Sequence, residues 1–149
     1  MSLPEEMAAG LVGADPGDDQ PSGPSECLIA KERRGCVSLW NRHQWEDQQR
    51  QAGEILRGKL ASGRLDRRLG EVQRLGRLMS TRERLLPIAG RGRIVVPDGY
   101  RELLGVDAGD AVTIVGAAVC VELWNPDAWA HHLEQTLPGY RDLLEDLVG

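Results

Sequence analysis

The chain has 149 residues, a formal net charge of −5 and 28% charged residues. That length bounds it to one domain or two very small ones, and no apolar run is long enough to span a bilayer. Three cysteines, an odd number, argue against a disulfide framework. An acidic start followed by Ala-Ala-Gly lacks the basic and apolar regions of a secretion signal, so a cytoplasmic chain is expected.

In chain order, MSLP (1–4) leads into a helical-looking run, EEMAAGL, and then a turn-like GADPGD (13–18). DQPSGPSE (19–26), rich in Pro and Ser, predicts an exposed loop ahead of CVSLWNRHQW (36–45). Asn41 suits the cap of a helix in which Trp45, Gln48, Ala52, Ile55, Leu56 and Leu60 fall near one face. A second helix over 65–80 repeats Leu65, Leu69, Val72, Leu75 and Leu78 at spacings of three and four, with Arg67, Arg68, Arg74 and Arg77 on its other faces. Gly70 and Gly76 weaken it, each by roughly 1 kcal/mol relative to Ala. RERLLPIAGRGRIVVP (82–97) predicts extended chain, with Pro97 in the first turn of the following helix. As a strand, this stretch would put Arg91 and Arg93 on one face. DGYRELL, GVDAGD (105–110) and CVELWNPDAW (120–129) come next. The tail LPGYRDLLEDLVG (137–149) is acidic with helical Leu spacing, which suggests subunit packing.

Part of this order is said twice. CVSLWNRHQW and CVELWNPDAW share six of ten residues and hold all four tryptophans. GADPGD matches GVDAGD, and MSLP aligns with IVVP so that Met1 falls on Ile94. The chain is therefore one unit of about 50 residues written twice, with the Pro/Ser-rich loop inserted in the first copy. Half-units this small are marginal alone, so a core shared between the copies is expected. The equivalent Cys36 and Cys120 suit buried, reduced thiols, and the equivalent tryptophans suit hairpin packing better than base stacking. Asp107 and Asp110, beside Gly105 and Gly109, fit turn chemistry. His131 and His132 are adjacent on a helix and diverge, so they read as surface residues rather than metal ligands. With no Walker-type loop and no nucleophile beside a base, the expectation is no enzyme, cofactor, metal or small-molecule substrate.

Charge is unevenly divided. Residues 57–93 hold eleven Arg or Lys and three Asp or Glu, a local net of +8 that leaves −13 elsewhere. Such asymmetry points to a polyanion contacted by one region. Ten of the eleven are Arg, whose planar fork pairs with phosphates and guanine edges.

Gly92-Arg93-Ile94-Val95-Val96-Pro97, the helix with Tyr100-Arg101, the Gly-Asp turn, and the strand ending Glu122-Leu123-Trp124-Asn125 with Trp129 beyond resemble the second half of MraZ proteins. The duplicated order and the Arg-rich connector extend the resemblance over nearly the whole chain. MraZ proteins are bacterial regulators at the division and cell-wall gene cluster, built from two tandem SpoVT-AbrB-type units. The resemblance implies a mainly β fold with peripheral helices: a pseudo-two-fold, swapped-hairpin (double-split) β-barrel of the AbrB/MazE/MraZ kind. Expected boundaries are 1–48 for a first unit lacking its first strand and 49–82 for the helical connector. A second unit over 83–129 and a helical tail over 130–149 complete the chain. The family's Asp-x-x-x-Arg motif maps its arginine onto Arg93, with Ala89 in the aspartate's place and Arg91 as an additional cation. Arg91 and Arg93, then Arg101, are the expected DNA contacts, the Asp being expected to brace the loop.

The implied function is a repressor that binds short direct repeats in promoter double-stranded DNA as a homo-oligomeric ring, in the cytoplasm and nucleoid. The alternative is a ring-forming protein-interaction module that has lost operator binding. An antitoxin-like partner for a toxin rests on fold analogy alone.

Overall fold

The computed structural model describes residues 1–12 and 25–149. The first Gly-Asp turn and the Pro/Ser-rich insertion up to Pro24 lie outside the described residues. Five strands, β1 (Glu26–Arg33), β2 (Cys36–Trp40), β3 (Glu83–Pro87), β4 (Thr113–Gly116) and β5 (Val121–Trp124), form one antiparallel sheet in the order β3-β1-β2-β5-β4. Six α-helices accompany them among the described residues: α1 (Glu5–Leu11), α2 (Arg42–Ala61), α3 (Leu69–Thr81), α4 (Asp98–Leu104), α5 (Pro126–Thr136) and α6 (Tyr140–Val148). More of these residues lie in helices than in strands, and the sheet runs open from β3 to β4. The architecture is an open antiparallel sheet with helices, in place of the closed, mainly β barrel expected from the resemblance.

The duplication appears directly in the strand register. At the centre of the sheet β2 meets β5 with Val37 opposite Leu123, Ser38 opposite Glu122 and Leu39 opposite Val121. Ser38 and Glu122 occupy the same position in the two copies of the repeat. The copies therefore meet at their own equivalent residues, as a two-fold contact between like surfaces requires. Met1 and Ile94, also equivalent in sequence, repeat the relation: the Met1 amino group donates to the Ile94 carbonyl at 3.0 Å, and the Ile94 N–H donates to the Met1 carbonyl at 2.9 Å. Both pairs bring equivalent residues of the two copies face to face.

The main core lies between the sheet and the two short helices. Ile29, Val37, Leu39, Leu104 and Leu123 have no exposed surface, and Leu3, Leu11, Ile94 and Tyr100 belong to the same cluster. Burying a side chain of this size contributes roughly 1.5–3 kcal/mol. β1, flanked by β2 and β3, is buried on both faces. Cys27 and Ile29 enter the main core, while Leu28 and Ala30 meet Trp45 of α2 on the other side.

The repeated Leu-Trp-Asn ties helices to this core. Asn41 caps α2 by accepting from the His43 N–H at 3.0 Å and the Gln44 N–H at 3.2 Å, and its amide donates to the Gly10 carbonyl at the end of α1. Asn125 does the same for α5, accepting from Asp127 and Ala128 and donating to the Gly105 carbonyl at the end of α4. Each Asn thus starts one helix and fastens the end of another. Loss of the cap alone costs about 1 kcal/mol. The tryptophans pack as expected: Trp40 meets Trp45 with centroids 5.2 Å apart, and Trp124 meets Trp129 at 5.3 Å.

Gly35 closes the β1–β2 hairpin at φ +85, and a Cβ there would lie 2.6 Å from the Ala128 Cβ on α5. The equivalent β4–β5 turn has Ala118 at φ 62 instead, a conformation an L side chain enters at a cost. Asp107 and Asp110 form the expected turn, the Asp107 N–H donating to an Asp110 carboxylate oxygen at 2.9 Å.

Three local expectations need correction. α2 presents Trp45, Gln49, Gly53, Leu56 and Leu60 inward and leaves Gln48, Ala52 and Ile55 exposed. The inward stripe follows a spacing of nearly four, so the flanking residues turn out to solvent. The second connector helix starts at Leu69, after a 3-10 turn over Asp66–Arg68. Pro97 sits one residue before α4, in extended conformation, as Pro4 does before α1.

Candidate nucleic-acid interface

The stretch holding Arg91 and Arg93 is a tight loop. Ala89 and Arg93 face each other antiparallel and exchange both backbone hydrogen bonds, at 2.8 Å and 3.3 Å. Gly90, Arg91 and Gly92 form the turn between them, with Arg91 at φ 65 and Gly92 at φ 70. Two consecutive left-handed residues reverse the chain within three residues. Gly92 is required here, because a Cβ would lie 2.8 Å from the Leu3 carbonyl oxygen, which accepts the chain's close approach. Arg91, by contrast, holds the left-handed conformation without glycine's freedom. Strain of that kind in a non-glycine residue concentrates at working surfaces.

The expectation that Arg91 and Arg93 share a strand face is therefore overturned. Arg91 sits in the turn and Arg93 at its base, and both are exposed. Neither enters an ion pair among the described residues. The loop presents two solvated guanidinium groups on a short, well-pinned piece of backbone. The N-terminal residues pin it further: Leu3 N–H donates to the Gly92 carbonyl at 2.8 Å, and Ser2 lies opposite Arg93. A cleft of about 590 Å³ runs between this loop and α1, with Glu5 on one wall and Arg91 on the other.

The loop also gives position 89 a physical meaning. Side chains at a directly opposed antiparallel pair lie about 5 Å apart at Cβ. A carboxylate at position 89 would stand beside Arg93 and hold its guanidinium in place. Ala89 leaves that side chain unbraced.

Arg101 is elsewhere. It lies half-exposed on α4 and pairs with Asp98 at 2.8 Å, one helical turn away. The connector arginines divide. Arg82 is structural: its Nε donates to the Lys31 carbonyl at 2.6 Å, it pairs with Glu32 at 3.0 Å, and it lies over the Trp45 ring. Arg68 pairs with Glu71. Arg74 and Arg77 are exposed on α3 and enter no ion pair among the described residues.

Arg84 was missed by the sequence reading. It lies exposed on β3, an edge strand. Burial pushes the Tyr100 hydroxyl above its ordinary range, while the Arg84 charge opposes that shift and Glu83 adds to it. The alternation with buried Leu86 would have turned Arg84 inward, so no periodic signal marked it.

The remaining titratable groups are placed by packing. Burial pushes Cys27 up to about 12; burial, helped by the negative Glu122 and Glu32, pushes Cys36 up to about 12 and Cys120 up to about 11. All three are free thiols held in the protonated form, but only Cys27 and Cys36 are buried; Cys120, expected to be buried like its equivalent Cys36, is half-exposed beside the β4–β5 turn. The two histidines do diverge: His131 is exposed, while His132 stacks on Trp124 at 4.7 Å. Among the described residues no group of three His, Cys, Asp or Glu is placed to hold a metal ion. No helix among them is long and apolar enough to cross a membrane.

No protein-family model matches this chain, and no solved structure matches it. Curated relatives do. The chain is 29% identical over 102 residues to Transcriptional regulator MraZ of Thioalkalivibrio sulfidiphilus, a match covering 68% of this chain and 60% of that protein. It is 26% identical over 113 residues to the protein of the same name from Syntrophomonas wolfei, covering 76% and 71%. Over 58 residues it is 33% identical to that of Bifidobacterium longum, covering 39% and 37%. The match therefore spans about three fifths of the Thioalkalivibrio protein's length. Taken with the duplicated Leu-Trp-Asn and the registers that pair each copy with the other, these relatives show the chain to be similar to MraZ transcriptional regulators over 68% to 76% of its length.

Proposed function

We propose that this chain is a sequence-specific, double-stranded DNA-binding transcriptional regulator, and not an enzyme. In this reading it represses the division and cell-wall gene cluster, binding short direct repeats upstream as an oligomeric ring in the cytoplasm and nucleoid. The observation that carries the proposal is the 89–93 loop, which holds Arg91 and Arg93 exposed and in no ion pair among the described residues. Arg93, at the pinned base, is the candidate for reading a base edge. Arg91, at the tip, suits a phosphate. Arg101 is a secondary contact, since Asp98 already occupies it. The relatives' printed name, transcriptional regulator, supports the same reading.

The division of the chain into two SpoVT-AbrB-type units (1–48 and 83–129), a connector (49–82) and a tail (130–149) belongs to this proposal. The two self-paired registers support it.

The test compares Arg93→Ala with the connector variant Arg64→Ala/Arg67→Ala, two exposed arginines outside the loop, by fluorescence anisotropy on promoter and scrambled duplexes. Losing a base contact costs about 1–3 kcal/mol at one position. Arg93→Ala should therefore lower the preference for the promoter duplex by about fivefold to a hundredfold, whereas the connector variant should retain it. Undiminished discrimination in Arg93→Ala would defeat the assignment.

A second reading, a ring-forming protein-interaction module without operator binding, is favoured by Ala89, which leaves Arg93 unbraced. Wild-type protein that binds both duplexes equally and weakly would establish it.

A further inference from the structure

α6 is an amphipathic helix exposed along its whole length. Tyr140, Leu143, Leu144 and Leu147 recur at spacings of three and four, so they share one face. Yet every residue from Leu133 to Gly149 is exposed, Leu147 by 77%. An apolar helix face of this kind is stable in water only when something covers it. The acids Asp142, Glu145 and Asp146 flank that face and enter no ion pair among the described residues.

α3 has the complementary character. It exposes Leu69, Leu75 and Leu78 by about half their surface, with the unpaired Arg74 and Arg77 among them. One helix offers leucines with acids, the other leucines with arginines. The register of the sheet decides whether they meet within one chain. Because Cys36 lies opposite Trp124, β2 and β5 end at opposite ends of their ladder. The α2–α3 arm and the α5–α6 arm therefore leave the sheet from opposite ends.

We propose that α6 of one copy docks on α3 of a second copy, apolar face to apolar face, with Asp142 and Asp146 beside Arg74 and Arg77. The contact joins unlike surfaces, so each copy retains a free α3 and a free α6 and assembly continues until it closes on itself. This rests on the assembly part of the proposed function and specifies its contact. It also assigns the connector arginines to protein rather than DNA.

The experiment uses the full chain without DNA, by sedimentation velocity. Wild type should form species larger than a dimer. Leu143→Asp/Leu147→Asp and Leu75→Asp/Leu78→Asp should each be monomeric, with self-association weakened by roughly a hundredfold or more. Mixed, they should combine into a one-to-one dimer and stop, because each keeps the surface the other lacks. The milder pair Asp142→Arg/Asp146→Arg should also weaken assembly, and adding Arg74→Glu/Arg77→Glu to that chain should restore it. Unchanged circular dichroism and melting would show that the fold persists in the variants. A monomeric wild type overturns the proposal. So does a mixture that stays monomeric, or an α3 variant that still dimerises, which would mean α6 pairs with α6. DNA binding is read separately through Arg93→Ala; a wild type larger than a dimer whose α3 and α6 variants still assemble refutes this contact and leaves the ring standing, whereas a monomeric wild type removes both.

Discussion

Arg91→Gly should move stability and DNA binding in opposite directions. Arg91 stands at φ 65 in the turn, where an L residue pays about 1–2 kcal/mol that glycine does not. Glycine returns roughly 0.4–1 kcal/mol of that through a more flexible unfolded chain. The side chain is exposed and enters no ion pair among the described residues, so little else is lost. The net expectation is a gain of about 0.5–1 kcal/mol, or roughly 1–4 °C in Tm for a chain of this size. The same change removes the charge at the tip of the candidate interface. A lost charge-assisted phosphate contact costs about 1.5–3 kcal/mol, so affinity should fall roughly tenfold to a hundredfold. The slope of log K against log salt should flatten by about 0.9 for each phosphate released. Urea unfolding and anisotropy titrations at two salt concentrations measure both quantities on one preparation. If Arg91→Gly unfolds earlier than wild type, the strain assigned to the loop is wrong. If it binds DNA with wild-type affinity and salt slope, Arg91 is no phosphate contact.

Further expectations follow from the same geometry. Gly35→Ala combines a left-handed φ with a Cβ placed 2.6 Å from Ala128, and should destabilise by about 2–4 kcal/mol in urea unfolding. Ala118→Gly, at the equivalent hairpin, should stabilise by about 0.5–1 kcal/mol, measured in the same way. Asn125→Ala should cost about 1–2 kcal/mol, since it removes the α5 cap and the bond to the Gly105 carbonyl together. Cys27 and Cys36 ionise near 9.0 when unfolded and near 12 when folded, so their contribution is complete below pH 9.0 and is lost as pH rises toward 12. Unfolding across that range should show falling stability, and thiol titration at pH 8 should label native protein far more slowly than denatured protein. Ala89→Asp places a carboxylate opposite Arg93; it should raise stability by no more than about 1 kcal/mol, as exposed pairs do, and sharpen discrimination between promoter and scrambled DNA.

What the sequence disclosed was what repetition could disclose. Trp and Asn recurring at equal places exposed two equivalent hairpins, while the alignment of Met1 with Ile94 marked them as equivalent without showing that they hydrogen-bond directly. Asn41 announced a helix cap because Asn before a helical run has few other uses. Closure of the sheet was not legible, since β4's outer edge depends on which chain segment lies beside it rather than on any pattern within Thr113–Gly116. The loop at 89–93 was misread because Gly-Arg-Gly between apolar runs looks extended. Only the mutual bonds of Ala89 and Arg93 turn it into a reversal. The roles of the arginines were equally hidden: Arg82 and Arg74 look alike in a basic run, yet one is bound to Lys31 and Glu32 and the other faces solvent.

The measurement closest to the central claim is the ratio of wild-type affinities for promoter-repeat and scrambled duplexes at physiological salt. Specific regulators bind their sites about 10³-fold or more tighter than unrelated DNA. A ratio of that order, falling by about fivefold to a hundredfold in Arg93→Ala while its melting temperature stays put, is the result predicted here. Equal, weak and strongly salt-dependent binding of wild type to both duplexes would contradict it.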